Sequence, residues 1–589
     1  MMLPKIKIQA NLFQEEQTKE IECAFWNQKY RGFLKTNFLI TFTKQFQFIY
    51  KKMNGQLIGI DQNSDAQQNL EVKINYKKTK HLRWFGKQGS NGQKFGKWQA
   101  KWKDEILENV GGEYSKLGQK QGLWKDIIED YWTHAQVYEV GEYLKDQKIG
   151  LWKIIYDKEE IGGGQFNNES CKSGNWIELC DNFWDLKQVT YCGEYINGNK
   201  IGGWDIQFKN KVQNQNIEKI GGGSYDVKGS NLKIGKWIEL SDEFYEDNQV
   251  SYNGEYQKGF KFGRWNTYLK FDGNYEAIGG GLYDWEGNGK KIGIWIELSE
   301  GFNESNQFIF QGEYQNGIKV GRWNSYFKFN GKKEQIGGGQ YDEEERGHKI
   351  GKWIELNDLS CRSRYVQVLY SGEYINNKKV GIWNTYFRDR ILSKNFEIIG
   401  GGSYDEKTPG IKIGKWIELG QNFGDGLGQL LLFNIGEYKN GQKCGPWDVF
   451  WKDDIKRKKN EWLAGGQYDW LGRKIGNWVE LCDNFHELKQ VRYHGEYKDG
   501  KKIKVWSNSI RLQKADVQFQ QIEGGQYDQK GEGQKIGVWT EVYKGFYQGS
   551  YKNGRKVGIW QQLLQNRNFF TGVFELQKSR FGQKLVYEQ

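Results

Sequence analysis

The sequence predicts an all-β protein, an elongated, solenoid-like ribbon of stacked antiparallel β-hairpins. Three observations lead there. A Gly-x-Trp step recurs along the chain, with its ring at Trp98, Trp124, Trp152, Trp176, Trp204, Trp237, Trp265, Trp295, Trp323, Trp353, Trp383, Trp416, Trp447, Trp478, Trp506, Trp539 and Trp560, and only Trp506 has another residue, Lys504, in place of the glycine. These seventeen positions lie about 29 residues apart, the signature of an array of one small unit. Between the steps, residue character alternates with period two, and no long stretch has a helical period. The composition suits such an array, with 77 Gly, 26 Trp and only 3 Pro in 589 residues. Each buried ring removes roughly 150–250 Å² from water, so rings can replace a sparse aliphatic core.

Taken in chain order, residues 1–82 lie outside the array. "FLKTNFLITFTKQFQFIYKK" (33–52) reads either as paired strands or as one irregular helix. "DQNSDAQQN" (61–69) reads as a loop. The array occupies 83–572 and opens on a degenerate unit, "LRWFGKQGSNGQKFGKW" (82–98). From Trp176 onward two phrases alternate in a double unit of about 60 residues. The long phrase is "IGGGSYDVKGSNLKIGKWIEL" (220–240), and the short one is "YNGEYQKGFKFGRW" (252–265). Each reads as a hairpin. Tyr252, Gly254 and Tyr256 share one face, "QKG" turns the chain, and Trp265, Thr267, Leu269 and Phe271 share a face on the return. "WKDIIEDYW" (124–132) is a candidate helical turn. The tail at 573–589 is expected to cap the open end.

The glycines then acquire a role. A bulky ring stacked on the next strand needs a partner without a side chain, and glycine also accepts the positive φ of a tight turn. The structural frame expected from this is Gly235, Trp237, Gly254, Tyr256, Gly263, Trp265, Gly293, Trp295, Gly321, Trp323, Gly351, Trp353, Gly414 and Trp416.

"YNGEYQKGFKFGRW" resembles a MORN repeat, through Tyr252, Gly254, Glu255, Tyr256, Gly259 and Gly263. It departs from that pattern consistently. Tyr256 stands for the second aromatic Trp, and Trp265 stands where the repeat carries Gly. The phrases are also similar to the variant MORN-like repeat of bacterial antitoxin-type proteins and to large repeat proteins of ciliated protists. The resemblance covers more than four-fifths of the chain. It implies a scaffold at cytoskeletal or ciliary structures, or a binder of phospholipid headgroups.

No site chemistry emerges. The Gly-Lys pair at 235–236 suggests a phosphate loop, but Trp237 follows where that loop needs a hydroxyl. Asp226, Asp284, Asp342 and Asp405 follow the triple glycine as in calcium-binding rolls, but the period is not nine, so a turn-forming role is expected. Glutamates recur in two registers, Gly-Glu-Tyr (such as Glu255) and two residues after Trp (such as Glu239). Equivalent copies do not make a catalytic pair. They are expected to pair with lysines such as Lys233 and Lys261. The five histidines (His81, His134, His348, His486, His494) follow no zinc spacing. Cys180 and Cys482 stand where sister units carry Ser241 and Ser299, which indicates packing rather than a nucleophile. No catalytic, cofactor-binding or metal residue is expected.

Lys plus Arg is 86 against 74 Asp plus Glu, a net charge of +12 spread over both signs, as in "EEERGHK" (343–349). "DDIKRKKNE" (453–461) is the densest basic run, and acids flank it. Nucleic acid is therefore not an expected partner. Seven cysteines without a C-x-x-C, and an N-terminus without an apolar core segment, point to a cytoplasmic chain, and the resemblance implies a cytoskeletal or ciliary setting for it. The functional expectation is a non-enzymatic scaffold that meets protein partners on the face opposite the rings, which is expected to be rich in Lys, Glu and Asn. The alternative is a peripheral phospholipid or phosphoinositide binder.

Overall fold

In the computed structural model, the described residues are 81–563 apart from 90–91, 211–215, 272, 304–306, 330, 345, 358–365, 390–394, 421–430, 453–459, 483–484, 486–489, 512–517, 529–530 and 543–545. On either side of that span mainly the backbone of the strands is described. The chain divides into two compact units, one of residues 1–297 with 314–317, the other of 298–313 with 318–589.

The regular structure is all strand. In unit 1, Lys5–Ile8 pairs with Leu70–Lys73. Gln17–Asn27, Gly32–Phe42, Gln47–Lys52 and Leu57–Gln62 form a four-stranded antiparallel sheet. Of the two readings left open for 33–52, the paired strands are correct. The loop expected at 61–69 falls largely outside the described residues.

From Leu82–Gln88 onward, unit 1 is an open meander in which each strand pairs antiparallel with the next, as far as Lys291–Leu298. Unit 2 repeats the scheme from Ile318–Phe329 to Arg555–Arg567. The last long strand receives two short ones on different halves, Phe574–Lys578 and Lys584–Tyr587. The candidate helical turn at 124–132 is instead the end of strand Lys120–Ile127 followed by a loop closed by a Trp132–Ala135 bridge. Cross-strand pairing with Val137–Leu144 outweighs the weak local helical pattern.

The three glycines of "IGGGSYD" do three different things. A Cβ on Gly223 would lie 2.2 Å from the Trp237 ring. Gly222 has φ +124°, and a Cβ there would meet the Trp204 carbonyl oxygen at 2.1 Å. Gly221 lies against the Ile238 carbonyl at 2.7 Å. One glycine makes room for a ring, and the other two let backbones approach at a bulge.

The first of these relations holds throughout. Every one of the seventeen Gly-x-Trp rings lies over a glycine of the preceding strand, and the added Cβ would sit 2.1–2.5 Å from the nearest ring atom. All seventeen rings are 0–7% exposed. A Tyr, or Phe166 in one place, sits edge-on between successive Trp rings. The centroids lie 5.0–6.2 Å apart along unit 1, from Trp98–Tyr114 to Trp295–Tyr314. The same alternation runs from Trp323–Tyr341 to Tyr551–Trp560 in unit 2. Edge-to-face rings place the positive rim of one on the negative face of the next.

A second core lies towards the other end of the strands. In unit 1 it contains Val137, Ile154, Cys180, Phe183, Val189, Ile206, Phe208 and Phe244. The loops that follow the long phrases cover it, and they are bonded to one another. Asp185 N donates to His134 O at 3.0 Å, and Glu246 N donates to Leu186 O at 2.9 Å. Of the four residues expected to share a face after the turn, Trp265, Thr267 and Leu269 are buried, but Phe271, the last residue of its strand, is 57% exposed.

Candidate functional site

The most regular chemical feature is a ladder built on the aromatic row. Four residues before every Gly-x-Trp ring stands a lysine, and its Nζ lies 3.7–4.8 Å from that ring's centroid in all seventeen cases, from Lys94 to Lys556. The ammonium is held by the ring's negative face, while its side chain stays about a quarter to a third exposed.

The glutamate two residues after a long-phrase Trp ties two such lysines together. Glu239 Oε1 pairs with Lys233 at 2.5 Å, and Oε2 pairs with Lys261 at 2.9 Å. Tyr256 donates its hydroxyl to Oε1 at 2.7 Å. The same knot recurs at Glu178, Glu355, Glu418, Glu480 and Glu541. Burial alone would raise the Glu239 carboxyl, but the two ammoniums outweigh it and hold it below its usual range. Burial, with Glu239 beside it, pushes the Tyr256 hydroxyl well above its ordinary value.

The lysine pairing expected of the glutamates is therefore realised in the register after Trp. In the Gly-Glu-Tyr register the backbone does the work, and Trp265 Nε1 donates to the Glu255 carbonyl at 3.1 Å. The lysines and glutamates of the ladder lie on the ring face, while a second set lies on the opposite face as expected, where Lys236 stands across from Glu255, Lys352 from Glu373 and Lys415 from Glu437. An ammonium over a ring can be packed and solvated at once, so the charges need no separate face.

Within the expected frame, Trp237, Trp265, Trp295, Trp323, Trp353 and Trp416 are all buried. Gly254 lies under Trp265. Gly235, Gly263, Gly293, Gly321, Gly351 and Gly414 have φ between +60° and +65°. Five of these six have nothing within 4 Å of an added Cβ; only Gly263 does, against Trp285. At these glycines conformation, not space, is the requirement. Tyr256 stands edge-on to Trp265 at 5.3 Å.

The other candidates resolve into structure. Lys236, of the Gly-Lys pair, points away from the rings into solvent. Asp226, Asp284, Asp342 and Asp405 each accept hydrogen bonds within their own turns, as Asp284 does from Asn288 N at 2.9 Å and Lys290 N at 3.1 Å. His134 meets Asp185 at 3.2 Å, His348 meets Asp342 at 3.6 Å, and His81 packs on Trp102. His486, Cys361 and most of the basic run at 453–461 lie outside the described residues. Cys180 and Cys482 are buried thiols outside any disulfide, and burial pushes the Cys180 thiol up to about 11. Among the described residues no cluster of three or more His, Cys, Asp or Glu could hold a metal ion.

No protein-family model matches the chain, and no curated protein matches it. What can be read of its function therefore rests on its own repeats.

Sequence reasoning missed a second ion-pair series. Glu159 and Lys209, Glu218 and Lys270, Glu334 and Arg388, and Glu461 and Arg511 pair at 2.7–3.2 Å across 50–54 residues. Each pair clasps one double unit to the next over an intervening loop. In these pairs the sequence signal is a cation five residues after the short-phrase Trp and a glutamate two residues before the Ile or Leu that leads into the glycine run.

Proposed function

We propose that the chain is a non-enzymatic structural or protein-interaction scaffold of MORN-like repeats, with a cytoskeletal or ciliary setting suggested by the resemblance of its phrases. One observation carries the reading. The chemistry-bearing side chains of the frame are used up, copy after copy, in the same internal ladder. Each Lys is committed to a ring, and each Glu after a long-phrase Trp is committed to lysine and a tyrosine hydroxyl. An enzyme concentrates perturbed groups at one place, whereas here they recur in every double unit. Surfaces repeated along stacked units are suited to contact over a length.

The test is cross-linking of the full chain in cells, followed by mapping of the linked residues. The scaffold reading expects links to two or more distinct proteins, at positions spread over several double units, and retention of the chain with them after detergent extraction. A chain released entirely by detergent and linked to nothing would overturn it.

A second reading, peripheral binding to anionic phospholipid, is favoured by the ladder's charge. Two lysines share one glutamate in each double unit, which leaves one surplus positive charge per copy. It expects flotation with phosphoinositide vesicles at low salt and loss of flotation as salt rises. No flotation at low salt would eliminate it.

A further inference from the structure

Unit 2 holds two equivalent clasps that differ in one respect. In the first, Arg388 forks onto Glu334 at 2.9 and 3.0 Å, donates to Gln367 and lies over Phe396. In the second, Arg511 forks onto Glu461 at 2.7 and 3.1 Å, donates to Gln490 and lies over Phe519. Beside the first clasp the cross-strand pair is Leu369 and Tyr386, an apolar filling packed with Phe396. Beside the second it is Arg492 and Ser509. Other repeats place neutral pairs there, Thr190 with Gln207, Ser251 with Tyr268, and Phe433 with Phe450.

Arg492 therefore brings a second guanidinium to the same ring. Its Cζ lies 3.4 Å from the Phe519 centroid, and that of Arg511 lies 4.6 Å away. Arg492 Nε donates to Ser509 Oγ at 3.4 Å and one terminal nitrogen donates to Leu463 O at 3.2 Å. Among the described residues it has no carboxylate at ion-pair distance, since Glu461 is taken up by Arg511. Burial, and then the nearby Arg511, push the Arg492 guanidinium down to about 10. His494 Nε2 stands 2.7 Å from Ser509 Oγ on the same patch. Ser509 occupies the place of a tyrosine in the sister clasp, so the exchange adds a cation and removes a ring.

A half-buried guanidinium beside a like charge is costly unless an anion joins it. Its remaining terminal N–H groups suit a tetrahedral oxyanion, and the serine and histidine, hydrogen-bonded to each other, hold the guanidinium in place through its Nε. We propose that Arg492, with Arg511, Ser509 and His494, forms a binding site for an oxyanion of the phosphate class. The site occurs once among the described repeats, unlike the ladder.

The experiment is calorimetric titration of the full chain with two probes, inorganic phosphate and O-phosphoserine, at matched ionic strength. The wild type is compared with Arg492→Leu, which restores the residue type of the sister clasp, and with Arg492→Gln, which keeps a polar stem without charge. At least one probe is expected to bind the wild type and to weaken about tenfold or more in both variants, the worth of charge-assisted hydrogen bonds. Circular dichroism should be unchanged. If phosphoserine binds more tightly, the natural ligand carries its phosphate on an organic group; if phosphate does, the free ion suffices. Should Arg492→Leu fail to fold, Arg492→Gln alone decides. A converse variant, Leu369→Arg with Tyr386→Ser, is expected to add a second site. Failure of both probes to bind the wild type, or binding unchanged in the Arg492 variants, overturns the proposal.

Discussion

Lys504 stands where sixteen sister positions carry glycine, two residues before Trp506, and it adopts the same left-handed backbone, φ +60°. For an L-residue that conformation costs roughly 1–2 kcal/mol. Glycine would remove the cost but lose about 0.5–1 kcal/mol through its freer unfolded chain. The exposed Lys504–Glu496 pair, at 2.6 Å, contributes little. Lys504→Gly is therefore expected to stabilise the protein by about 0.5–1 kcal/mol, read as a higher urea midpoint. A lower midpoint would show that the glycine register has another cause. At this scale the sequence was highly legible, because a residue's backbone needs are local: the Gly-x-Trp step and its single exception were visible in the letters. The role of the lysine four residues before each Trp was not. Its recurrence was visible, but only the packed rings show that an ammonium can sit on them.

At the scale of the element, the hairpin is held by its carboxylate knot. The pKa values of Glu178 and Glu239 are lowered in the folded chain, so their stabilisation is present above the unfolded value near ~4.3 and is lost as pH falls through the lower folded value. The ladder tyrosines act in the opposite direction. Burial raises the Tyr225 hydroxyl to about 12, so its contribution is complete below an ordinary value of 10.0 and fades above it. The urea midpoint is expected to hold between these limits, fall below about pH 4.5 and fall again above about pH 10. Replacing both Glu178 and Glu239 with Gln should flatten the acid limb, whereas an unchanged limb would mean that other carboxylates govern acid unfolding. Strand, turn and ring register were legible here because alternation and period encode them. The loop layer and the Glu218–Lys270 type of clasp were not, since the recurrence of a Glu and of a cation does not show in the letters that two residues some fifty positions apart meet. The ladder's own charges were not legible on the ring face for a related reason, because hydropathy alone sends Lys and Glu to the opposite face, where Lys236 and Glu255 do lie, and away from a core that in fact uses others.

Across the molecule the repeated relation is a ring on a glycine, and each unit's contacts are made chiefly with its sequence neighbours. In such an array, stability is close to a sum of unit and neighbour terms, and damage in one place stays local. The same repetition explains why no single repeat of the ladder stands out as an active site and why a scaffold is the reading it supports. It also makes the departure at Arg492 conspicuous. The most direct measurement is hydrogen exchange, read by mass spectrometry, on Gly254→Ala, whose added methyl would lie 2.2 Å from the Trp265 ring. Overpacking of this kind costs about 1–3 kcal/mol. The account predicts faster exchange confined to the strands around that ring, from Lys233–Leu240 to Asn274–Tyr283, with protection elsewhere in the array unchanged. Exchange unaltered at these strands, or accelerated throughout the array, would contradict it.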